Sequence, residues 1–293
     1  MLKKSISIVV ISILVLTLVF PILCIVKADT IKLVVSLGAD LTKKQQDQIL
    51  KFMEVERDEI SIIETTIEEE AKYLKNTPAI KHIGNKTISS ALVERLDKNE
   101  GISVKTHNIT WVSEEMYENA LITAGVKDAR VIAAAPFEVS GTGALTGIMK
   151  AFEEITGEKL DEEAKHIASE EMVITGELGE DLDDQDKASE LVNKVKEKII
   201  EEGIKSPEDI KRIIIEIQHE LNIKLSDKQI EKLTELMNKI KNIDINVDDL
   251  KKQVSKIGEK AKEIAEDNKE IKSFLQRITD FLSQIIKKII DLF

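Results

Sequence analysis

The sequence predicts an α/β (or α+β) N-terminal domain of alternating strands and helices, followed by an all-helical C-terminal region. Two observations carry that division. Up to about Leu160, short runs rich in Val and Ile alternate with segments whose apolar residues recur at helical spacing. Beyond it only Gly176, Gly179, Gly203 and Gly258 remain, and Phe274, Phe281 and Phe293 are the only Phe, Tyr or Trp residues.

In chain order, the first segment reads as a targeting signal. Lys3 and Lys4 form a basic start, Ile6 to Ile25 is almost uninterrupted Ile, Val and Leu broken by Pro21, and Val26-Lys27-Ala28 has the spacing a signal peptidase reads. Cleavage after Ala28 is expected, with an uncleaved anchor as the rival, because the apolar run approaches the length that spans about 30 Å of hydrocarbon. Cys24 follows the bulky Leu23, which argues against lipidation. Strands of the α/β domain, residues 29–160, are expected at "IKLVV" from Ile31, "ISIIET" from Ile60, "ISVKTHNITW" from Ile102 and "ARVIAAA" from Ala129. Helices are expected at "TKKQQDQILKFM" from Thr42, "IEEEAKYL" from Ile67, "ISSALVERL" from Ile88 and "SEEMYENALITAG" from Ser113. Strand order and direction do not follow from this pattern.

The helical region, residues 161–293, shows three apolar stripes: Ala188, Leu191, Val192, Val195 and Ile199; then Ile210, Ile213, Ile214, Ile217 and Leu221; then Ile230, Leu233, Met237 and Ile240. "SPED" at Ser206 combines an N-cap, a proline at the first helical position and an acid at the third, and "SDKQ" at Ser226 is a capping box. From Leu250 to Ile289 apolar residues step by alternating fours and threes, a heptad with Asn268 on its seam. Residues 248–293 form either one long helix or two, with a break at "EDNKE". In the second case Phe274, Phe281, Ile285, Ile289 and Phe293 line a terminal amphipathic helix suited to a partner groove or a membrane surface, or simply to the chain's own core.

Composition narrows the classes of function. The full chain carries a net charge of -12, and loss of Lys3, Lys4 and Lys27 with the signal would leave -15, which argues against nucleic acid as a partner. No cysteine would remain, so an exported chain of this kind holds together without disulfides. His82, His107, His166 and His219 show no metal-ligand spacing, and no G-x-S-x-G, Walker or dinucleotide motif occurs. No cofactor, metal site or catalytic set is therefore expected. Acidic pairs such as Glu153-Glu154 and Asp183-Asp184 read as solvated faces.

Two stretches are candidates for ligand binding. In "VSGTGALTG", Ser140, Thr142 and Thr146 carry hydroxyls, and Gly141 and Gly143 allow positive φ and close backbone approach. If Thr142 caps a helix beginning near Gly143, free amides there would favour an anion; the alternative is a tight strand-to-helix turn whose hydroxyls satisfy the helix's own amides. In "THNITWVSEEMYENALITAG", Trp111 and Tyr117 stand beside Asn108, Thr110 and Asn119, equipment for stacking on a sugar or peptide plane, or a core plug with its polar atoms satisfied. Asn85-Lys86-Thr87 and Asn108-Ile109-Thr110 are formal glycosylation sequons.

The runs "VSLGADLTKKQ" from Val35, "IGNKTISSALVERL" from Ile83, "HNITWVSEEMYENALITAGVKDARVIAAAPFEVSGTGALTGIMKAFE" from His107 and "ITGELGE" from Ile174 resemble an exported bacterial family of unknown function, DUF1002. One departure is Gly143, where the resemblance implies Ala more often. The resemblance implies export into a bacterial, Gram-positive envelope and brings no reaction, substrate or cofactor. The expectation is a non-catalytic envelope-associated protein that binds a cell-wall component or an envelope protein, with membrane-surface contact through the C-terminal helix and homo-oligomerisation as further partner modes. The alternatives are an extracytoplasmic hydrolase or transferase on a phosphate-bearing or glycan substrate, and a helical oligomeric scaffold.

Overall fold

The computed structural model describes residues 32–74, 84–245, 248, 250–252 and 255. The expected signal segment and the terminal heptad residues Phe274, Phe281, Ile285, Ile289 and Phe293 lie outside the described residues. The elements run β1 (Leu33–Gly38), α1 (Lys43–Phe52), β2 (Ser61–Thr65), α2 (Ile67–Leu74), β3 (Ser90–Arg95), β4 (Ile102–Ile109), α3 (Glu114–Thr123), β5 (Ala129–Val139), α4 (Thr142–Thr156), α5 (Glu162–Leu182), α6 (Gln185–Glu201), α7 (Pro207–Glu220) and α8 (Asp227–Ile240). Among the described residues the N-terminal part is a mixed five-stranded sheet with helices, and only helices follow it, as the sequence pattern predicts.

The sheet order is β2-β1-β3-β5-β4. β1 runs parallel to β2, with Val35 opposite Ile62, and antiparallel to β3, with Val35 opposite Leu92. β5 runs antiparallel to β3 and parallel to β4. The carboxyl ends of β1, β2, β4 and β5 therefore share one edge of the sheet, and β3 begins there. Ligands of open α/β sheets are bound outside that edge.

"ISSALVERL" is corrected from helix to strand. Ser90–Val93 is fully buried between β1 and β5, with Ala91 and Val93 facing one apolar cluster and Leu92 the other. A short apolar run buried on both faces has no alternation, so its periodicity does not distinguish strand from helix. Pairing on both sides decided it.

The two faces are covered unequally. α1 places Ile49 and Leu50 over Val35, Leu37, Leu92 and Ala134 on one face. On the other, α3 and α4 lie directly on the strands and α5 packs on α3. One apolar cluster runs from Val34, Val93 and Val131 through Leu145 and Ile148 to Leu191, Ile214 and Met237, so the three predicted helical stripes all face it. Helix starts follow the predicted chemistry. Ser206 accepts the amide of Asp209 at 3.0 Å with Pro207 at the first turn, and Ser226 closes a capping box with Gln229.

Candidate functional site: a cleft at the carboxyl edge of the sheet

The "VSGTG" loop leaves β5 at this edge and enters α4. Gly141 is the N-cap, with φ at 96°, and no side chain caps the helix. A Cβ at Gly141 would lie 2.4 Å from Ile109 Cγ2 and 2.6 Å from the Tyr117 hydroxyl oxygen, so both the backbone angle and the space require glycine. Thr142 is the first helical residue. It does not cap the helix, because its hydroxyl is engaged elsewhere, donating to Glu70 Oε1 at 2.6 Å. Gly143 is helical; a Cβ there would come 2.8 Å from Glu70 Oε2 and 3.1 Å from Ser89 Oγ. Its glycine serves the close approach of a carboxyl group, and no positive φ is involved.

Glu70 lies in α2 and is 2 % exposed. Burial pushes its carboxyl above the usual carboxylate range, opposed by the hydrogen bond from the Thr142 hydroxyl. Burial also raises the phenol of Tyr117, and the neighbouring Glu70 adds to that rise. Tyr117 is wholly buried behind the loop and donates to the Gly141 carbonyl at 2.5 Å. A carboxyl group of the chain itself thus packs against the first turn of α4.

In front of the loop opens a cleft of about 660 Å³, lined by Asp40, Thr42, Gln45 and Glu70, by Asn85, Lys86 and Ser89, and by Phe137 and Ser140 to Gly143. These residues follow β1 and β2, precede β3, and lie at the end of β5 and just after it, so the topology assembles them from four separate stretches. Phe137, 49 % exposed, stands on the rim. The bulge that exposes it is explicit. Asn108 interrupts the β4 register with φ at 56° and donates to the Ala135 carbonyl at 2.9 Å, so β5 regains its partner only at Val139.

Of the predicted site residues, Ser140, Gly141, Thr142 and Gly143 line this cleft. Thr146 is buried one turn further along α4. Thr110 donates to the Val139 carbonyl at 3.1 Å. Trp111 is 8 % exposed, its ring lies over Gly176 of α5, and its indole N–H donates to Glu180 at 3.0 Å. Of the two open readings of Trp111, this geometry is that of the packed plug. Asn119 is buried between α3 and α6, donating to the Ser189 carbonyl. Sequence reasoning passed over Glu70, which reads as one more acid in "IEEE", and Phe137, which lies inside the loop's own approach, "APFEV".

A second concavity of about 750 Å³ opens at the opposite edge of the sheet, among Arg95, Lys127, Asp128, Glu158 and Asp161. It contains none of the predicted ligand residues. Among the described residues no group of three or more His, Cys, Asp or Glu stands together to hold a metal ion, and no helix is long and apolar enough to cross a membrane.

Fold and cleft together define a class: a mixed α/β protein with a helical extension and a polar cleft at the carboxyl edge of its sheet. The chain belongs to the family described as "Protein of unknown function (DUF1002)", whose model matches residues 37–257. It is 38 % identical over 247 residues to "Uncharacterized protein YpuA" of Bacillus subtilis (strain 168), covering 84 % of each chain. No solved structure matches.

Proposed function

We propose that this is an exported, envelope-associated protein whose cleft binds a hydroxyl-rich, uncharged portion of a cell-wall component without transforming it. The observation that carries the reading is the exposed ring of Phe137 on the rim of a cleft walled by the hydroxyls of Thr42, Ser89 and Ser140 and the amides of Gln45 and Asn85. An aromatic face beside hydroxyls and amides suits a sugar ring. The phosphate reading is less favoured, since the cleft's one lining cation among the described residues, Lys86, stands among the carboxyl groups of Asp40 and Glu70. Export rests on the Val26-Lys27-Ala28 site and its apolar run.

Equilibrium binding of purified residues 29–293 to soluble wall glycan fragments tests this. The expected result is saturable binding that Phe137→Ala and Thr142→Val abolish with folding intact. Wild-type protein that binds no envelope fraction would sink the proposal.

One observation favours the enzymatic alternative. Glu70 is a buried carboxyl group with a raised pKa, hydrogen-bonded to Thr142 in a cleft, and that is the environment of a general acid. Turnover of a wall-derived glycan by wild type and its loss in Glu70→Gln would select this reading over simple binding.

A further inference from the structure

The interior of the helical layer holds a second polar assembly, away from the cleft. At its centre Lys196 Nζ lies 2.7 Å from Glu171 Oε1, with side chains 0 % and 1 % exposed. The same ammonium donates to the Asn119 carbonyl at 3.1 Å and to Thr123 Oγ1 at 3.0 Å, and the Thr123 hydroxyl donates to the other oxygen of Glu171. All three ammonium donors are used and both carboxylate oxygens are held.

One turn along α6 the accounting differs. Asn193 is fully buried, and neither its Nδ2 nor its Oδ1 has a partner among the described residues; the same holds for Ser189 Oγ and Asn119 Oδ1. Ser189, Asn193 and Lys196 are spaced by four and three, so they share one face of α6. Across from them, the Asn119 amide is tied to the Ser189 carbonyl at 3.3 Å. The unpartnered atoms therefore belong to a single seam between α3 and α6. Native interiors rarely leave buried amides and hydroxyls unmatched, and they satisfy such groups with ordered water.

We propose that this seam is a binding site for ordered internal water, held by Asn193, Ser189 and Asn119. The chemistry selects water over an ion. The unmatched atoms comprise one donor, Asn193 Nδ2, two acceptors, Asn193 Oδ1 and Asn119 Oδ1, and a hydroxyl that can play either part. That set complements a molecule that donates twice and accepts twice. A metal cation would face the amide donor and the nearby ammonium of Lys196, and an anion would face two amide oxygens and Glu171.

The test is magnetic relaxation dispersion of water on the purified chain, together with the thermal midpoint of Asn193→Leu, a substitution of similar size. The expected result is a long-lived water signal in wild type that falls in Asn193→Leu, with a lower midpoint for the variant, because the water loses its anchors. A dispersion unchanged by the substitution would overturn the proposal. So would a midpoint equal to or above wild type, since a dry seam gains when unmatched polar atoms are replaced by an apolar group. If Asn193→Leu does not fold, Ser189→Ala carries the same comparison: a hydrated seam loses midpoint and shortens the water residence, and a dry one shows neither change.

Discussion

The Thr142 hydroxyl, at the first residue of α4, donates a 2.6 Å hydrogen bond to Glu70, a carboxyl group from the short helix after β2. Two stretches 72 residues apart are joined there, the first turn of one helix to a buried carboxyl group of another.

The same pair sets a pH dependence. Burial raises the folded-state pKa of Glu70 above its unfolded value, so the proton favours the native state. That stabilisation is fully present below the unfolded value of about 4.3 and is lost as pH rises through the folded value. Glu70→Gln keeps an acceptor for Thr142 and carries no charge. Urea midpoints should show the variant gaining on wild type as pH rises above the unfolded value of about 4.3; a variant that instead loses ground as pH rises would mean that the carboxylate is the favoured form.

Tyr117 holds the loop from behind. Tyr117→Phe removes its hydrogen bond to the Gly141 carbonyl and should cost about 1 kcal/mol, within the range for a buried neutral pair. Gly141→Ala should cost more, because it adds a clash with Ile109 and Tyr117 to an unfavourable φ. Chemical denaturation measures both, and Gly141→Ala as stable as wild type would contradict the geometry of the turn.

Trp111 and Gly176 provide an optical test of packing. A Cβ at Gly176 would lie 2.4 Å from the indole ring, so Gly176→Ala should displace it and destabilise by about 1–3 kcal/mol. Trp111 is the only tryptophan of the chain, so its emission reports that site alone. An unshifted emission spectrum in a fully stable Gly176→Ala protein would show that the ring does not lie there.

Lys196 and Glu171 test the buried pair. Lys196→Met strands a carboxylate and should cost about 3–5 kcal/mol, whereas the double variant Lys196→Met with Glu171→Met should recover much of that loss. Equal destabilisation by the single and double variants would mean that the pair contributes more than the cost of desolvating it. The recovery is read as the interaction in a double-mutant cycle.

What the amino-acid order determined alone is what depends on near neighbours. Helical spacing located α1, α2, α3 and the stripes of α6, α7 and α8, and the caps at Ser206 and Ser226 follow from side chains three residues from the amides they bind. The loop from Ser140 to Gly143 was legible for the same reason, since glycines and hydroxyls at a strand-to-helix turn are a local signal. Tertiary structure decided the rest. It made β3 a strand through pairing with β1 and β5, and it buried Trp111 over a glycine 65 positions along the chain. It also carried Glu70, one acid among several in its own helix, to the first turn of α4, and turned Phe137 outward across from the Asn108 bulge. Partnerships between distant segments depend on sheet order and packing, and neither composition nor periodicity encodes which segments will meet.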